Sequence, residues 1–299
     1  MPDGEPTISV IIPAFNAAKT ICRSIESALD QTYEPTDIVV VDDGSSDSTA
    51  DIAARYSERV VVLRQANAGP GAARNRAARA AKGAWLALLD ADDRWRPHRL
   101  EHQVPHTADP RVGLVHGHDP DPAGAETPRS LDFETLWRRN WIRASTALIR
   151  RQAFESLGGF QEDPDLIGCE DYNLWLRLVA AGWKVATCPE TLFDYMPAEG
   201  SLCSQVERFT RAEIANARSI GKAFGLHPRR IRDKESDIYN RYGRHLLHER
   251  RSTAARALLT ESLRVSRRPA LVGWWLATFI PEWILDGRRR VMRSLVSSR

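Results

Sequence analysis

Four short runs carry residue types and spacings suited to chemistry. Asp90-Ala91-Asp92-Asp93 places three carboxylates within four residues. Like charges so close repel, and a shared cation relieves the cost. Hard divalent ions such as Mg2+ or Mn2+ take oxygen ligands, binding through one or two carboxylates plus substrate phosphates. The run reads as a metal–diphosphate site or as a solvated acidic turn capping a helix. Asp42-Asp43-Gly44-Ser45 reads as a capped turn, or as a carboxylate that accepts hydrogen bonds from a nucleoside. Asn67-Ala68-Gly69-Pro70-Gly71 precedes Arg74 and Arg76. Its glycines admit close backbone approach, and its arginines suit phosphate, a base or a solvated helix face. Glu170-Asp171 falls in the first turn of a helix, where the dipole favours anions. The same field keeps Asp171 ionised, as a general base for a hydroxyl must be.

The elements that position these runs follow from periodicity. Ile8–Pro13, Asp37–Val41, Val60–Leu63 and Ala84–Leu89 are β-branched or apolar runs bounded by turn residues, and read as strands. Between them, residues 18–30, the segment carrying Ile52, Ala53 and Tyr56, and residues 72–82 have helical patterning. Four strand–helix alternations predict an α/β fold with a parallel sheet, because parallel strands need helical crossovers. Ligands in such sheets bind beyond the carboxyl ends of the strands, where the acidic runs and the Asn67–Gly71 loop fall. Neither a GxGxxG nor a GxxxxGK[ST] run follows the first strand, which disfavours a dinucleotide Rossmann site and a P-loop. Further strands are expected at Val112–Val115 and Ala144–Ile149, a loop at Asp119–Pro128, and a helix over Glu170–Ala181 stopped by Gly182. His98 and His102 share a helix face, and His116 and His118 flank Gly117; both pairs read as structural ahead of metal-binding.

With 299 residues, 42% apolar and 27% charged, the chain is globular and neither disordered nor polytopic. Its four scattered cysteines make neither a zinc motif nor a disulfide framework, and a reducing cytoplasm is expected. The near-neutral total hides an asymmetry. Residues 1–200 hold 21 Lys and Arg against 30 Asp and Glu, a balance of −9; residues 201–299 hold 21 against 9, a balance of +12.

Taken together and in order, the motifs resemble the family 2 glycosyltransferases. The matching elements are Ser9-Val10-Ile11-Ile12-Pro13-Ala14-Phe15-Asn16, Ile38-Val39-Val40-Val41-Asp42-Asp43-Gly44-Ser45-Ser46-Asp47, Asn67 through Asn75, Leu88-Leu89-Asp90-Ala91-Asp92-Asp93, Leu157-Gly158-Gly159-Phe160, and Glu170-Asp171 through Leu178. The resemblance covers about residues 7–200. It implies a GT-A fold, with a nucleotide-binding half over about 7–118 and an acceptor half over about 119–202. It implies an inverting transfer from a nucleotide-diphosphate sugar, a UDP-sugar foremost, to a hydroxyl of a glycan or lipid-linked acceptor, assisted by Mg2+ or Mn2+. By matching position, Pro13 and Phe15 line the base pocket and Asp43 touches the nucleoside. Asn67 and Arg74 contact the nucleotide. Asp90 and Asp92 form the donor and metal element, with Asp92 the direct metal ligand. Asp171 is the catalytic base and Glu170 orients the site. Gln161 departs from the family's usual Phe-Asp-Glu. A non-catalytic nucleotide-sugar scaffold and a sugar nucleotidyltransferase are the competing readings. The second lacks its glycine-rich first loop.

The basic stretch 203–299 is expected to form a helical tail separate from a catalytic domain over 1–202. Its most apolar part is residues 269–281, extendable to Leu285, with Trp274, Trp275 and Trp283 between arginine clusters. A helix over 269–281 covers about 20 Å, short of the about 30 Å of a hydrocarbon core. The segment reads as an interfacial anchor on the anionic cytoplasmic leaflet, ahead of a helix packed on the body or a dimer mate, or a true span. No nucleic-acid fold signature accompanies the arginines.

Overall fold

The computed structural model describes residues 4–118, 128, 130–194, 205–266 and 269–280. The chain divides into two compact units, Met1–Gln205 and Val206–Arg299.

The first unit is a mixed α/β body. It begins with β1 (Ile8–Ala14), α1 (Ile21–Leu29), β2 (Asp37–Asp42), α2 (Thr49–Ala54), β3 (Val61–Arg64), α3 (Pro70–Ala80) and β4 (Trp85–Leu88). Then follow β5 (Arg94–Trp95), α4 (Arg99–Gln103), β6 (Val112–His118), α5 (Phe133–Arg138), β7 (Leu148–Arg150), α6 (Arg151–Ser156), α7 (Glu170–Ala180), β8 (Lys184–Thr191) and β9 (Phe193–Asp194). Seven strands form one sheet in the order β3-β2-β1-β4-β7-β6-β8, and β5 pairs with β9 in a small second sheet. β1 pairs in parallel with both β2 and β4, and β2 pairs in parallel with β3. Strand order therefore reverses beside β1, which makes the crevice between the carboxyl ends of β1 and β4 the natural ligand site.

Alternation explains the core. Ile8, Val10 and Ile12 of β1 and Ile38 and Val40 of β2 pack with Ile21, Ile25 and Ala28 of α1. Ile11, Val39 and Val41 are also fully buried, so these strands are covered on both faces, as a parallel sheet requires. At Gly83 an added Cβ would lie 2.5 Å from the Ser9 backbone nitrogen, so β4 can enter the sheet only on a glycine.

The structure departs from expectation in particular places. β7, for which the sequence set no direction, runs antiparallel to both β4 and β6. Residues 144–146 form a 3-10 turn instead of the start of a strand. The Ser145 carbonyl accepts from the Trp95 indole and its hydroxyl accepts from the Asp90 N–H, so these groups serve the turn after β4 and not a ladder. α3 starts two residues early because Pro70 is preorganised for the first helical position, behind Gly69 at φ +90°. The expected loop at Asp119–Pro128 lies, apart from Pro128, outside the described residues.

The second unit contains α8 (Val206–Ala223), α9 (Pro228–His248), α10 (Ser252–Val265) and α11 (Val272–Ala277). Buried hydroxyls join α9 to α10: Ser236 donates to the Ser262 carbonyl at 3.0 Å, and Ser262 to that of Ser236 at 2.8 Å. Glu213 pairs with Arg241, and Glu235 with Arg218 at 2.6 Å, linking α8 to α9. The expected helix over 269–285 is interrupted within its described part: a 3-10 turn at Pro269–Leu271 leads into the six residues of α11. Gly273 weakens helix there, and Pro281 disfavours helix at the residue before it. Residues 281–285 and the arginines beyond lie outside the described residues. Among the described residues, no helix is long and apolar enough to cross a membrane.

Candidate active site

The turns after β1 and β2 are built as one piece. Asn16 adopts φ +49°. Its N–H donates to Ser45 Oγ at 2.9 Å, and its Oδ1 accepts from the Ser46 N–H at 2.9 Å. The Ala17 N–H donates to Thr49 Oγ1 at 2.7 Å, and the Ala18 N–H to Asp47 Oδ2 at 3.1 Å. This lacing holds the Pro13–Phe15 segment with Pro13 half-buried and the Phe15 ring exposed, available for stacking on a flat ligand.

Asp43 is buried and accepts from Gln65 Nε2 at 2.7 Å and from the N–H groups of Ala68 and Gly69 at 2.9 and 2.8 Å. Its carboxylate braces the loop that holds exposed Asn67. A carboxylate offers about four acceptor sites, so roughly one remains for a ligand.

The turn after β4 is pinned from beneath. Arg23 Nη2 donates to the Asp92 carbonyl at 2.7 Å and Ser24 Oγ to that of Asp93 at 2.8 Å. The Asp90 N–H donates to Ser145 Oγ at 3.0 Å. Asp93 is buried, whereas Asp90 and Asp92 are half-buried. Sequence reasoning missed Arg23, Ser24 and Ser145; separations of 55 to 69 residues leave no local signal.

The carboxylates of two distant runs meet on one arginine. Arg74 is only 4% exposed. Its Nη2 lies 2.6 Å from Asp90 Oδ1 and its Nη1 lies 2.6 Å from Glu170 Oε1. Burial would lower its proton affinity, but the Asp90 and Glu170 carboxylates outweigh that and hold it above the ordinary arginine value. The resemblance offers Arg74 as a nucleotide contact; the structure places its guanidinium between these two acids. Glu170 is spent in the network, since Oε2 also accepts the Gly168 N–H at 2.7 Å. Asp171 accepts only the adjacent Tyr172 N–H among the hydrogen bonds described, at 2.6 Å. The helix field expected to keep Asp171 ionised is outweighed: loss of solvation at this half-buried carboxyl first, then the Glu170 charge, pushes it up to about 7, against the pull of Arg74. A carboxylate so poised can take a proton near neutrality.

The remaining motif braces the site. Asn75 Nδ2 donates to the Phe160 carbonyl at 2.9 Å and Glu162 Oε1 at 2.8 Å, and its Oδ1 accepts from the Phe160 N–H at 2.9 Å. Gly159, at φ +74°, has no room for a Cβ beside Asn75. The histidines stay apart from this centre: His98 pairs with Glu101, and buried His116 bonds Thr187 at 3.0 Å.

An α/β sheet with acids and a laced loop at the carboxyl ends of its reversing strands defines an α/β protein with a ligand-binding crevice at that edge. The chain belongs to glycosyl transferase family 2, whose model matches residues 9–160. It is similar to the succinoglycan biosynthesis protein ExoO of Rhizobium meliloti, at 45% identity over 67% of this chain and 63% of that protein. It is also similar to the UDP-Glc:alpha-D-GlcNAc-diphosphoundecaprenol beta-1,3-glucosyltransferase WfaP of Escherichia coli, at 30% identity over 59% of this chain and 72% of that protein. Its fold matches the mannosyltransferase PcManGT of Pyrobaculum calidifontis, solved with GDP-Man and Mn2+. The TM-score is 0.63 at 21% identity, over 93% of this chain and 85% of that one. The protein is a glycosyltransferase enzyme of GT-A fold, similar to enzymes of polysaccharide biosynthesis.

Proposed function

We propose that the protein is an inverting glycosyltransferase that moves a sugar from a nucleotide-diphosphate donor, a UDP-sugar foremost, to a hydroxyl of a lipid-linked or polysaccharide acceptor. The observation that carries this reading is the convergence of Asp90, Glu170 and Asp171 around Arg74 beside the β1–β4 crevice. The lacing of the turns after β1 and β2 presents Phe15 to the base, and Asp43 with the loop it braces, Asn67 included, faces the nucleoside. Asp171 takes the proton of the acceptor hydroxyl as its oxygen attacks the anomeric carbon. The bond from that carbon to the donor diphosphate breaks on the opposite face, and the electron pair leaves with the diphosphate. One base suffices for such a single displacement, in contrast to the paired carboxyls that glycosidases use. Glu170, satisfied by Arg74 and Gly168, orients the turn.

Asp92 and the Asp90 oxygen not held by Arg74 would hold a divalent cation: both acids are half-buried hard-oxygen donors at the end of β4, and such an ion takes one or two carboxylates beside substrate phosphates. When bound, the cation neutralises charge on the diphosphate. The Mn2+ in the PcManGT complex supports this assignment. The donor and acceptor named for WfaP support a UDP-sugar and a lipid diphosphate acceptor.

The second unit supports placement on the anionic cytoplasmic face of a membrane. Val272, Leu276, Phe279 and Ile280 are exposed at α11 and the turn after it, within a stretch whose charge balance is +12. Trp274 and Trp275 are partly withdrawn: Arg244 stacks on Trp274 at 4.1 Å, and Trp275 Nε1 donates to Thr260 at 3.0 Å. Phe279 is likewise stacked by Arg256 at 3.8 Å but stays exposed, so on this reading the exposed aliphatic residues lead the interfacial part that the sequence assigned to tryptophan.

A melting screen of nucleotide sugars with and without Mn2+ or Mg2+ tests the function. The reading expects one diphosphate sugar to raise the melting temperature, with the shift lost on chelation. No shift with any donor contradicts it.

A further inference from the structure

We propose that Arg74 is a positioning residue that locks the donor-side acid Asp90 and the base-bearing turn 168–171 into one unit. The inference rests on the glycosyltransferase reading and gives the arginine a role other than nucleotide contact.

Three elements meet at this side chain. Arg74 belongs to α3, Asp90 follows β4, and Glu170 opens α7; the partners lie 16 and 96 residues away in sequence. Both terminal nitrogens are engaged at 2.6 Å, and Nε is buried without a partner. The guanidinium carbon lies 5.5 Å from the centre of the Phe160 ring, which bounds it on one face. The far ends of both acids are fixed as well, Glu170 by the Gly168 N–H and Asp90 through its own N–H on Ser145. The guanidinium is therefore a strut with both ends anchored.

Without it, Asp90, Glu170 and Asp171 form a cluster of acids lacking their internal cation, and repulsion drives the 168–171 turn away from the β4 end. Displacement of a reacting group by about 1 Å costs about a hundredfold in rate. Lysine keeps the charge but is a single compact ammonium without the planar fork that serves two acids at once.

The test compares Arg74→Lys, Arg74→Met, Glu170→Gln and the double variant Arg74→Met/Glu170→Gln. Turnover is read as transfer, or as slow hydrolysis of the donor identified by the melting screen. Donor affinity is measured separately, and melting is followed without donor or metal. Each single variant, Lys included, is expected to lower kcat by about ten- to a hundredfold, with donor Kd moving less than about threefold. The double variant should be no slower than the worse single, and the melting losses should likewise fail to add. Additive losses, or an Arg74 variant that weakens donor binding tenfold while kcat holds, overturn the proposal. If Arg74→Met does not fold, Arg74→Lys, Glu170→Gln and the double variant Arg74→Lys/Glu170→Gln complete the same cycle. A wild-type chain that neither binds nor turns over any nucleotide sugar would sink the enzymatic reading, whereas the melting cycle still judges the strut.

Discussion

Glu170 and Asp171 are neighbours in sequence with opposite circumstances. The first is held by Arg74 and the Gly168 N–H; the second is pushed up to about 7 by burial and by the charge of the first. On the proposed mechanism, environment suits one acid to structure and the other to proton transfer. Because the base acts deprotonated, kcat/KM should rise with pH through a limb near 7, measured on saturating metal and limiting donor. A pH-independent profile from 5.5 to 8.5 would contradict the assignment. Stability has the opposite sign. A carboxyl whose folded value is raised favours the protonated native state, so its contribution is full below the usual carboxylate range and lost as pH rises through about 7. Asp171→Asn should therefore melt higher than wild type at pH 8, with the gap closing by pH 4. The acids themselves were legible in the sequence, since type and spacing suggest chemistry. Arg74 as their common partner was not, because pairing across 96 residues leaves no local mark.

The elements show the same division between local and long-range information. β1 to β4 and the helices between them follow from hydrophobic periodicity, and their parallel pairing follows from the crossovers. The reversed direction of β7 does not, because a short apolar run packs equally well either way until its neighbours are in place. The lacing between the turns after β1 and β2 is likewise tertiary. Beside it, Gly44, at φ +77°, lets the turn after β2 also pack closely on the loop after β3, since an added Cβ would lie 2.8 Å from the Asn67 backbone nitrogen. Gly44→Ala should cost about 1–3 kcal/mol of stability and weaken nucleotide binding, as read by chemical denaturation and calorimetry. Unchanged nucleotide affinity would mean the turn does not shape the base pocket. Asp47→Ala, which removes acceptors for Ala18 and Thr49, should lower donor affinity with little change in kcat at saturation.

The whole molecule joins an acidic body to a basic helical unit. That asymmetry was legible from charge alone, whereas the short α11 was not: the apolar composition of 269–285 suggested a longer helix than Pro269, Gly273 and Pro281 allow. Replacing Leu276 and Phe279 together by Asp should abolish flotation with anionic vesicles and leave donor binding unchanged. Equal flotation of variant and wild type would remove these two side chains from the anchor, and a wild type that does not float would remove the membrane. The central claim concerns transfer. It is tested most directly by following a labelled sugar from its nucleotide donor to lipid diphosphate-linked and polysaccharide acceptors, with wild type and Asp171→Asn side by side and donor affinity measured for each. The account predicts transfer by wild type, a loss of about 10²–10⁴ in turnover for the variant, and equal donor binding. Near-wild-type turnover of Asp171→Asn with donor binding intact would contradict it.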